Sequence, residues 1–129
     1  MRISIVAIKG EAYMAIKYEV KDNGLLVCAM AYNTFTANDT IKYDKSIAKN
    51  GNVKPGYSLL FDGSSIIRFD INESDIETII DALLLNPKNT PGRKVAIVFR
   101  PTLTHNLRVI FDSFSGEYKN VNLIFFNDL

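Results

Sequence analysis

The chain has 129 residues, of which 47% are hydrophobic and 22% are charged. This composition is typical of one globular domain and excludes a disordered or collagenous chain. The formal net charge is +1, so we expect no bulk electrostatic attraction to nucleic acid or to an acidic membrane. Cys28 is the single cysteine, which excludes an internal disulfide and a cysteine-rich zinc site.

Ile3, Ile5 and Ala7 lie on one face of a candidate strand over residues 2–8, which we expect at a sheet edge. Exposed edges also pair between chains, so this strand could form a homodimer. The apolar part is too short for a secretory signal, and no apolar run approaches the roughly 20 residues that span a bilayer. We therefore expect a cytoplasmic protein with no membrane insertion.

The next segment predicts a β-hairpin. Ile16, Tyr18 and Val20 alternate with polar residues, as one face of a strand does. Asn23-Gly24 is a turn sequence, because both residues tolerate positive φ. A further strand is expected from Leu25 to Tyr32, with Cys28 in the core.

Helical periodicity follows the hairpin. Thr36, with Asp39 three residues later, predicts the start of a helix that runs to about Lys49. Residues 57–61 then form a short apolar run that indicates a buried strand, and we expect a loop at residues 62–65.

The clearest helix begins near residue 74. Ser74-Asp75-Ile76-Glu77 has the pattern of a capping box, and Asn72 is an alternative cap. The apolar positions recur every three or four residues and form one face, with Ile80 and Leu83 expected to be buried against the sheet. That face comprises Ile76, Ile79, Ile80, Leu83 and Leu84.

The remaining segments predict a strand over residues 94–99, a helix over residues 103–114 and a last strand over residues 121–126. The complete order is β-β-β-α-β-α-β-α-β in a single domain. Strands that alternate with helices pair in parallel, so the prediction is an α/β fold whose mixed sheet is mainly parallel, with an N-terminal β-hairpin and crossover helices.

Several stretches resemble a bacterial family with STAS-like domains, the sulfate transporter and anti-sigma-factor antagonist fold, whose relatives are described as STAS/SEC14-like. These stretches are residues 15–20, 35–39, 54–62, 69–76 and, with the strongest similarity, 91–98. The resemblance covers residues 14–129 and implies a STAS-like fold, whereas residues 1–13 lie outside the family pattern as an extra N-terminal strand.

In the antagonists of this fold, a serine that opens the helix after the third sheet strand is phosphorylated, which adds charge beside a partner-binding surface. The corresponding stretch here is residues 69–74, where Asn72 takes the cap position. Ser74 is the candidate phosphoacceptor, but carboxylates such as Glu73 and Asp75 surround it. We favour a role for Ser74 as a helix cap.

A second candidate site is the carboxyl edge of the parallel strands, where open α/β sheets bind ligands. Asp62, Ser64 and Ser65 follow one predicted strand, and Arg100 and Thr102 follow the next. Together they would suit a small polar or anionic ligand. The alternative is that Asp62 and Ser64 form a turn and that Arg100 is solvated or paired with a carboxylate.

The sequence contains no pattern for catalysis or for a cofactor. His105 is the single histidine, which disfavours a metal site, and the glycines match neither nucleotide-binding motif. The predicted function is therefore a non-catalytic STAS-like regulatory or protein-interaction domain that lacks the phosphoserine motif. Its partner is expected to be another protein and not a nucleic acid. The alternative is a small-molecule or lipid-binding module that uses the carboxyl edge of the sheet.

Overall fold

The computed structural model describes residues 15–98 and the backbone of a strand at residues 122–126. Five described strands form one sheet in the order β1-β2-β3-β4-β5. β1 is antiparallel to β2, and the other neighbours are parallel. The predicted mixed, mainly parallel α/β fold is confirmed. The expected strand at residues 2–8 and the expected helix at residues 103–114 lie outside the described residues. The strands are β1 (Ile16–Lys21), β2 (Leu26–Thr36), β3 (Ser58–Asp70), β4 (Lys94–Val98) and β5 (Asn122–Phe126), and the helices are α1 (Ala37–Lys49) and α2 (Glu73–Leu85).

The predicted hairpin joins β1 to β2 through a tight turn at residues 22–24. Asn23 has a φ of 53° and Gly24 a φ of 90°, the conformations that this turn sequence favours. A side chain at position 24 would also collide with the carbonyl oxygen of Asn52. Gly24 therefore permits the hairpin to lie directly against the loop that precedes β3.

α1 begins and ends as the sequence predicts. The Thr36 hydroxyl accepts a hydrogen bond from the Asp39 backbone N–H at 3.2 Å and donates one to the Asp39 carboxylate at 2.9 Å. The backbone N–H of Asn50 closes the other end on the carbonyl of Ile47. α1 packs against β1, β2 and α2. The parallel strands β2, β3 and β4 are neighbours in the sheet in the order of the sequence. Because the crossovers between them are right-handed, both described helices lie on the same face of the sheet.

The core lies between this helical face and the sheet. Ile16, Val27 and Ala29 contribute from the strands, and Tyr43 and Ile47 contribute from α1. The ring of Tyr43 packs edge-on against Tyr18 of β1, with 5.6 Å between the ring centroids. On the opposite face Cys28 is buried, as predicted for a core cysteine.

β3 is longer than the sequence predicts. The predicted loop at residues 62–65 is wrong, because these residues lie inside a 13-residue strand that pairs with β2 as far as Thr36 and Asp70. The parallel register shifts between Met30 and Tyr32 and again after Asn33, and at each shift β3 contains one extra residue. β-bulges absorb the turn-forming residues without ending the strand.

Candidate functional site

The predicted ligand residues of β3 are part of its first bulge. Asp62 is 4% exposed, and its Oδ1 accepts hydrogen bonds from the Ser64 backbone N–H at 2.9 Å and from the Ser64 hydroxyl at 2.6 Å. Ser65 is half-buried and pairs in register with Tyr32. The interaction between Asp62 and Ser64 is a local contact inside the bulge of β3 and not a turn that ends the strand. Arg100 and Thr102 lie outside the described residues, so ligand binding by this set stays a prediction.

The opening of α2 is capped by Asn72, and the prediction that Ser74 is the cap is wrong. The Asn72 side chain accepts from the Asp75 N–H at 2.8 Å, and Asp75 Oδ2 accepts from the Asn72 N–H at 3.1 Å. Ser74 is the second helical residue and is exposed, and its carbonyl accepts a hydrogen bond from the Thr78 hydroxyl. The helix begins two residues earlier than the serine pattern indicates, because the amide of Asn72 is an equally good cap.

Carboxylates collect at this end of the sheet. The openings of α1 and α2 are neighbours, since Thr36 pairs in register with Asp70. We call the surface formed by residues 33–40 and 66–77 the acidic end; it carries five carboxylates and one cation. Negative charge here stabilises both helices, because their first turns present unpaired N–H groups. The charged residues are Asp39, Asp70, Glu73, Asp75, Glu77 and Arg68.

The opposite end of the sheet holds a buried polar network that the sequence analysis missed. Asp44 in the middle of α1 is 3% exposed, and its Oδ1 accepts from the side-chain amides of Asn86 at 2.9 Å and Asn89 at 3.0 Å. The Tyr57 hydroxyl donates to Asn89 Oδ1 at 2.8 Å. These four side chains join α1, the start of β3 and the loop between α2 and β4.

The same loop also closes both helices. Asn89 donates to the carbonyl of Leu83 in the last turn of α2 at 3.0 Å. The Lys88 ammonium donates to the carbonyls of Ile47 and Asn50 at the end of α1. The Ile47 and Leu83 carbonyls also accept from the backbone N–H groups of Asn50 and Asn86, so the loop side chains add a second donor at each helix end. A cation at the end of α1 also complements the helix dipole. The loop between α2 and β4 therefore connects the C-terminal ends of α1 and α2 through hydrogen bonds.

Two tyrosines and one arginine complete the network. The Arg93 guanidinium lies over the ring of Tyr57, 4.6 Å from its centroid. Burial raises the pKa of Tyr57 to about 12 and raises the pKa of Tyr43 well above its usual value. Burial also raises the pKa of Asp44, while hydrogen bonds from Asn89 and Asn86 oppose that shift.

The described contacts give this network a structural role, because they join α1, the start of β3 and the loop before β4. Burial favours the protonated hydroxyl of Tyr57 by raising its pKa to about 12, and Asp44 Oδ1 accepts hydrogen bonds from two side-chain amides. The signal in the sequence was the density of Asn, Pro and Gly over residues 86–93, which indicates a turn but does not reveal its contacts with α1.

No group of three or more His, Cys, Asp or Glu side chains is placed to hold a metal ion in the part of the chain that the structure describes. Within residues 15–98 and 122–126, neither the length nor the hydropathy of any helix suffices for crossing a membrane.

Comparison with known proteins supplies one informative likeness. No family model matches the chain, and no curated protein matches it. A crystal structure of an uncharacterised DUF3478-family protein from Shewanella loihica PV-4, described as having a SpoIIAA-like fold, superposes with a TM-score of 0.54. The match covers 88% of this chain and 86% of the other at 18% identity. The chain has a SpoIIAA-like fold. This is the STAS-like architecture that the sequence resemblance implies, and at this identity the likeness shows the fold alone.

Proposed function

We propose that the protein is a non-catalytic STAS-like interaction domain whose partner is another protein and whose binding is independent of serine phosphorylation. The observation that carries the proposal is the opening of α2. In the antagonists of this fold a phosphorylated serine opens this helix, whereas here Asn72 is the cap and Ser74 lies two residues further on.

The geometry around Ser74 disfavours a phosphate switch. Its neighbours Glu73, Asp75 and Glu77 already place carboxylates around the first turn of α2. A phosphate would add up to two negative charges to a surface that is acidic in its unmodified form. Phosphorylation would therefore deepen a potential that is already negative and would not reverse its sign.

The acidic end offers a contact surface for a basic partner. Glu73 and Glu77 are exposed on α2, and Ile67 on the neighbouring strand is 72% exposed. The exposed aliphatic side chain can be buried against a partner, and the carboxylates around it give electrostatic complementarity to a basic surface. Protein binding here requires no pocket and no reacting group.

Affinity capture with the intact chain tests the proposal. The wild-type protein is compared with Glu73→Lys/Glu77→Lys, with Ser74→Asp, and with the control Asp22→Lys/Asp81→Lys, which reverses two exposed carboxylates away from the α2 opening. We expect one protein to be enriched stoichiometrically by the wild type, Ser74→Asp and the control, and to be lost with the Glu73/Glu77 variant. Loss of the partner with Ser74→Asp, or equal retention by every variant, would contradict the proposal.

The carboxyl-edge ligand site stays the alternative. Asp62 supports a structural role, since one of its oxygens already accepts two hydrogen bonds from Ser64. The ligand hypothesis predicts that Arg100→Ala weakens binding of a small anion, whereas the interaction hypothesis predicts no such binding in the wild type. Equilibrium dialysis with inorganic phosphate or a small carboxylate separates the two.

A further inference from the structure

Three turns meet at the end of the sheet opposite the acidic end. The Lys54 N–H donates to the Gly24 carbonyl at 2.9 Å, which joins the β1–β2 hairpin to the loop before β3. The Gly56 N–H donates to the Lys88 carbonyl at 3.0 Å, which joins that loop to the one before β4. We call the surface formed by residues 21–25, 49–57 and 84–94 the basic edge. Its segments are one continuous structure because backbone hydrogen bonds connect them.

Positive charge is concentrated on the basic edge. These segments contain six cations and one carboxylate, Asp22, although the whole chain has a net charge of only +1. Four of the lysines are exposed, whereas the Lys88 ammonium is held by helix-end carbonyls. The cations are Lys21, Lys49, Lys54, Lys88, Arg93 and Lys94. A concentrated positive surface attracts anionic partners even when the net charge of the molecule is close to zero.

Three leucines project from the same edge. Leu84 is 61% exposed and Leu85 is 84% exposed at the last turn of α2, and Leu25 is 48% exposed beside the hairpin turn. The buried positions of α2 are Ile76 and Ile80, so the two α2 leucines are not part of its buried face. Exposed aliphatic side chains among lysines are typical of surfaces that rest in the headgroup region of a bilayer.

We propose that the basic edge docks the protein onto an anionic lipid surface, with the lysines against lipid headgroups and Leu84 and Leu85 inserted at the acyl boundary. Lipid is favoured over a protein partner because protein interfaces are depleted in lysine and enriched in arginine and aromatic residues. Each lysine near an anionic leaflet adds to the attraction, and the leucines add apolar burial. This surface lies at the opposite end from Glu73 and Glu77, so the two proposals can fail separately.

The buried network beneath the basic edge supports a fixed presentation of these groups. Tyr57, Asn89 and Asp44 tie the loops to α1, and Lys88 ties them to its last carbonyls. Because the loops are already held in place, they lose little conformational entropy when the basic edge binds a flat surface. This small entropy cost favours binding.

Vesicle co-sedimentation tests the proposal with the full-length protein. The probes are phosphatidylcholine vesicles with and without about 30% phosphatidylserine, which gives the surface the negative potential of a cytoplasmic leaflet. We expect binding to the anionic vesicles alone, and we expect about 0.5 M salt to abolish it because screening shortens the reach of the lysine charges.

Two charge-matched variants locate the surface. Lys54→Glu/Lys94→Glu reverses two exposed cations of the basic edge, and Lys42→Glu/Arg68→Glu reverses two exposed cations elsewhere, with the same change in net charge. We expect the first pair to lower the vesicle partition coefficient about tenfold or more and the second to change it less than about threefold. Equal losses in both pairs would overturn the proposal, since net charge alone would then explain binding.

A matched apolar pair tests insertion. Leu84→Ser/Leu85→Ser should weaken binding to anionic vesicles severalfold, whereas Ile67→Ser, at an equally exposed position of the acidic end, should leave it unchanged. Circular dichroism verifies that each variant is folded. The proposal is overturned if the wild-type protein does not bind anionic vesicles. It is also overturned if sedimentation equilibrium without lipid shows a self-association that Lys54→Glu/Lys94→Glu abolishes, because the edge would then join two copies of the chain.

Discussion

Asp44 shows how a single buried carboxyl group can organise loops that are distant in the sequence. It lies inside α1 and accepts hydrogen bonds from two asparagines more than 40 positions later in the chain. A helical pattern alone places position 44 on a turn of α1 but does not identify its partners. Periodicity reports which face a residue occupies, whereas a polar contact depends on how the loops close.

The raised pKa of Asp44 predicts a pH dependence of stability. Its unperturbed pKa is 3.8, and burial raises the value in the folded state. The native state therefore binds this proton more tightly than the unfolded state, so the stabilisation is complete below 3.8 and is lost as pH rises through the folded-state pKa. Urea unfolding of the wild type and Asp44→Asn from about pH 3 to about pH 7 measures it. We expect the wild-type advantage to shrink with rising pH; a constant or growing difference would contradict this assignment.

The hydrogen bond from Tyr57 to Asn89 makes its own contribution to stability. Tyr57→Phe removes the hydroxyl that donates to Asn89 and leaves the ring under Arg93 in place. We expect a loss of about 0.5–1.5 kcal/mol in the free energy of unfolding. The control Tyr32→Phe, at a half-buried position on β2, should cost less than about 0.5 kcal/mol. Equal effects in both variants would mean that the bond to Asn89 contributes nothing.

Among the helices and strands, those with strong periodicity and clear caps are the ones that the sequence predicts best. α1 begins after Thr36 and ends at Lys49 as expected. The length of β3 could not be predicted, because Asp62-Gly63-Ser64-Ser65 has the composition of a turn and a bulge requires the pairing strand to be known. The cap of α2 was ambiguous since Asn72 and Ser74 both fit.

The two possible caps of α2 make different predictions. Asn72→Ala removes the side chain that accepts from the Asp75 N–H, and we expect it to cost about 1 kcal/mol. Ser74→Ala removes an exposed hydroxyl inside the first turn and should cost less than about 0.5 kcal/mol. Chemical denaturation of both variants decides the matter. A larger loss of stability for Ser74→Ala than for Asn72→Ala would show that Ser74 is the cap.

The apolar face of α2 is narrower than its periodicity predicts. Ile80 is 1% exposed as expected, whereas Leu83 is only half-buried and Leu84 is 61% exposed. We expect Ile80→Ala to cost about 2–5 kcal/mol and Leu84→Ala less than about 0.5 kcal/mol. Thermal or urea unfolding measures both. Comparable losses would show that the whole predicted face is buried.

For the whole molecule, the sequence predicts the architecture better than the surface. The order of strands and helices leads to the mixed sheet and to the SpoIIAA-like fold, because short crossovers and turn sequences leave few arrangements open. Net charge, in contrast, conceals that residues 33–40 and 66–77 are acidic while residues 21–25, 49–57 and 84–94 are basic. The separation of acidic and basic surfaces depends on which loops the sheet brings together, and this cannot be deduced from the amino-acid composition.

The intact mass of the protein purified from its own host tests whether partner binding depends on a serine switch. Binding that is independent of a serine switch predicts a single species with the mass of the unmodified chain, under conditions in which the partner is bound and in which it is free. A stoichiometric phosphate on Ser74 that changes with partner binding would rule out binding that is independent of a serine switch and would make the protein a phosphorylation-regulated antagonist.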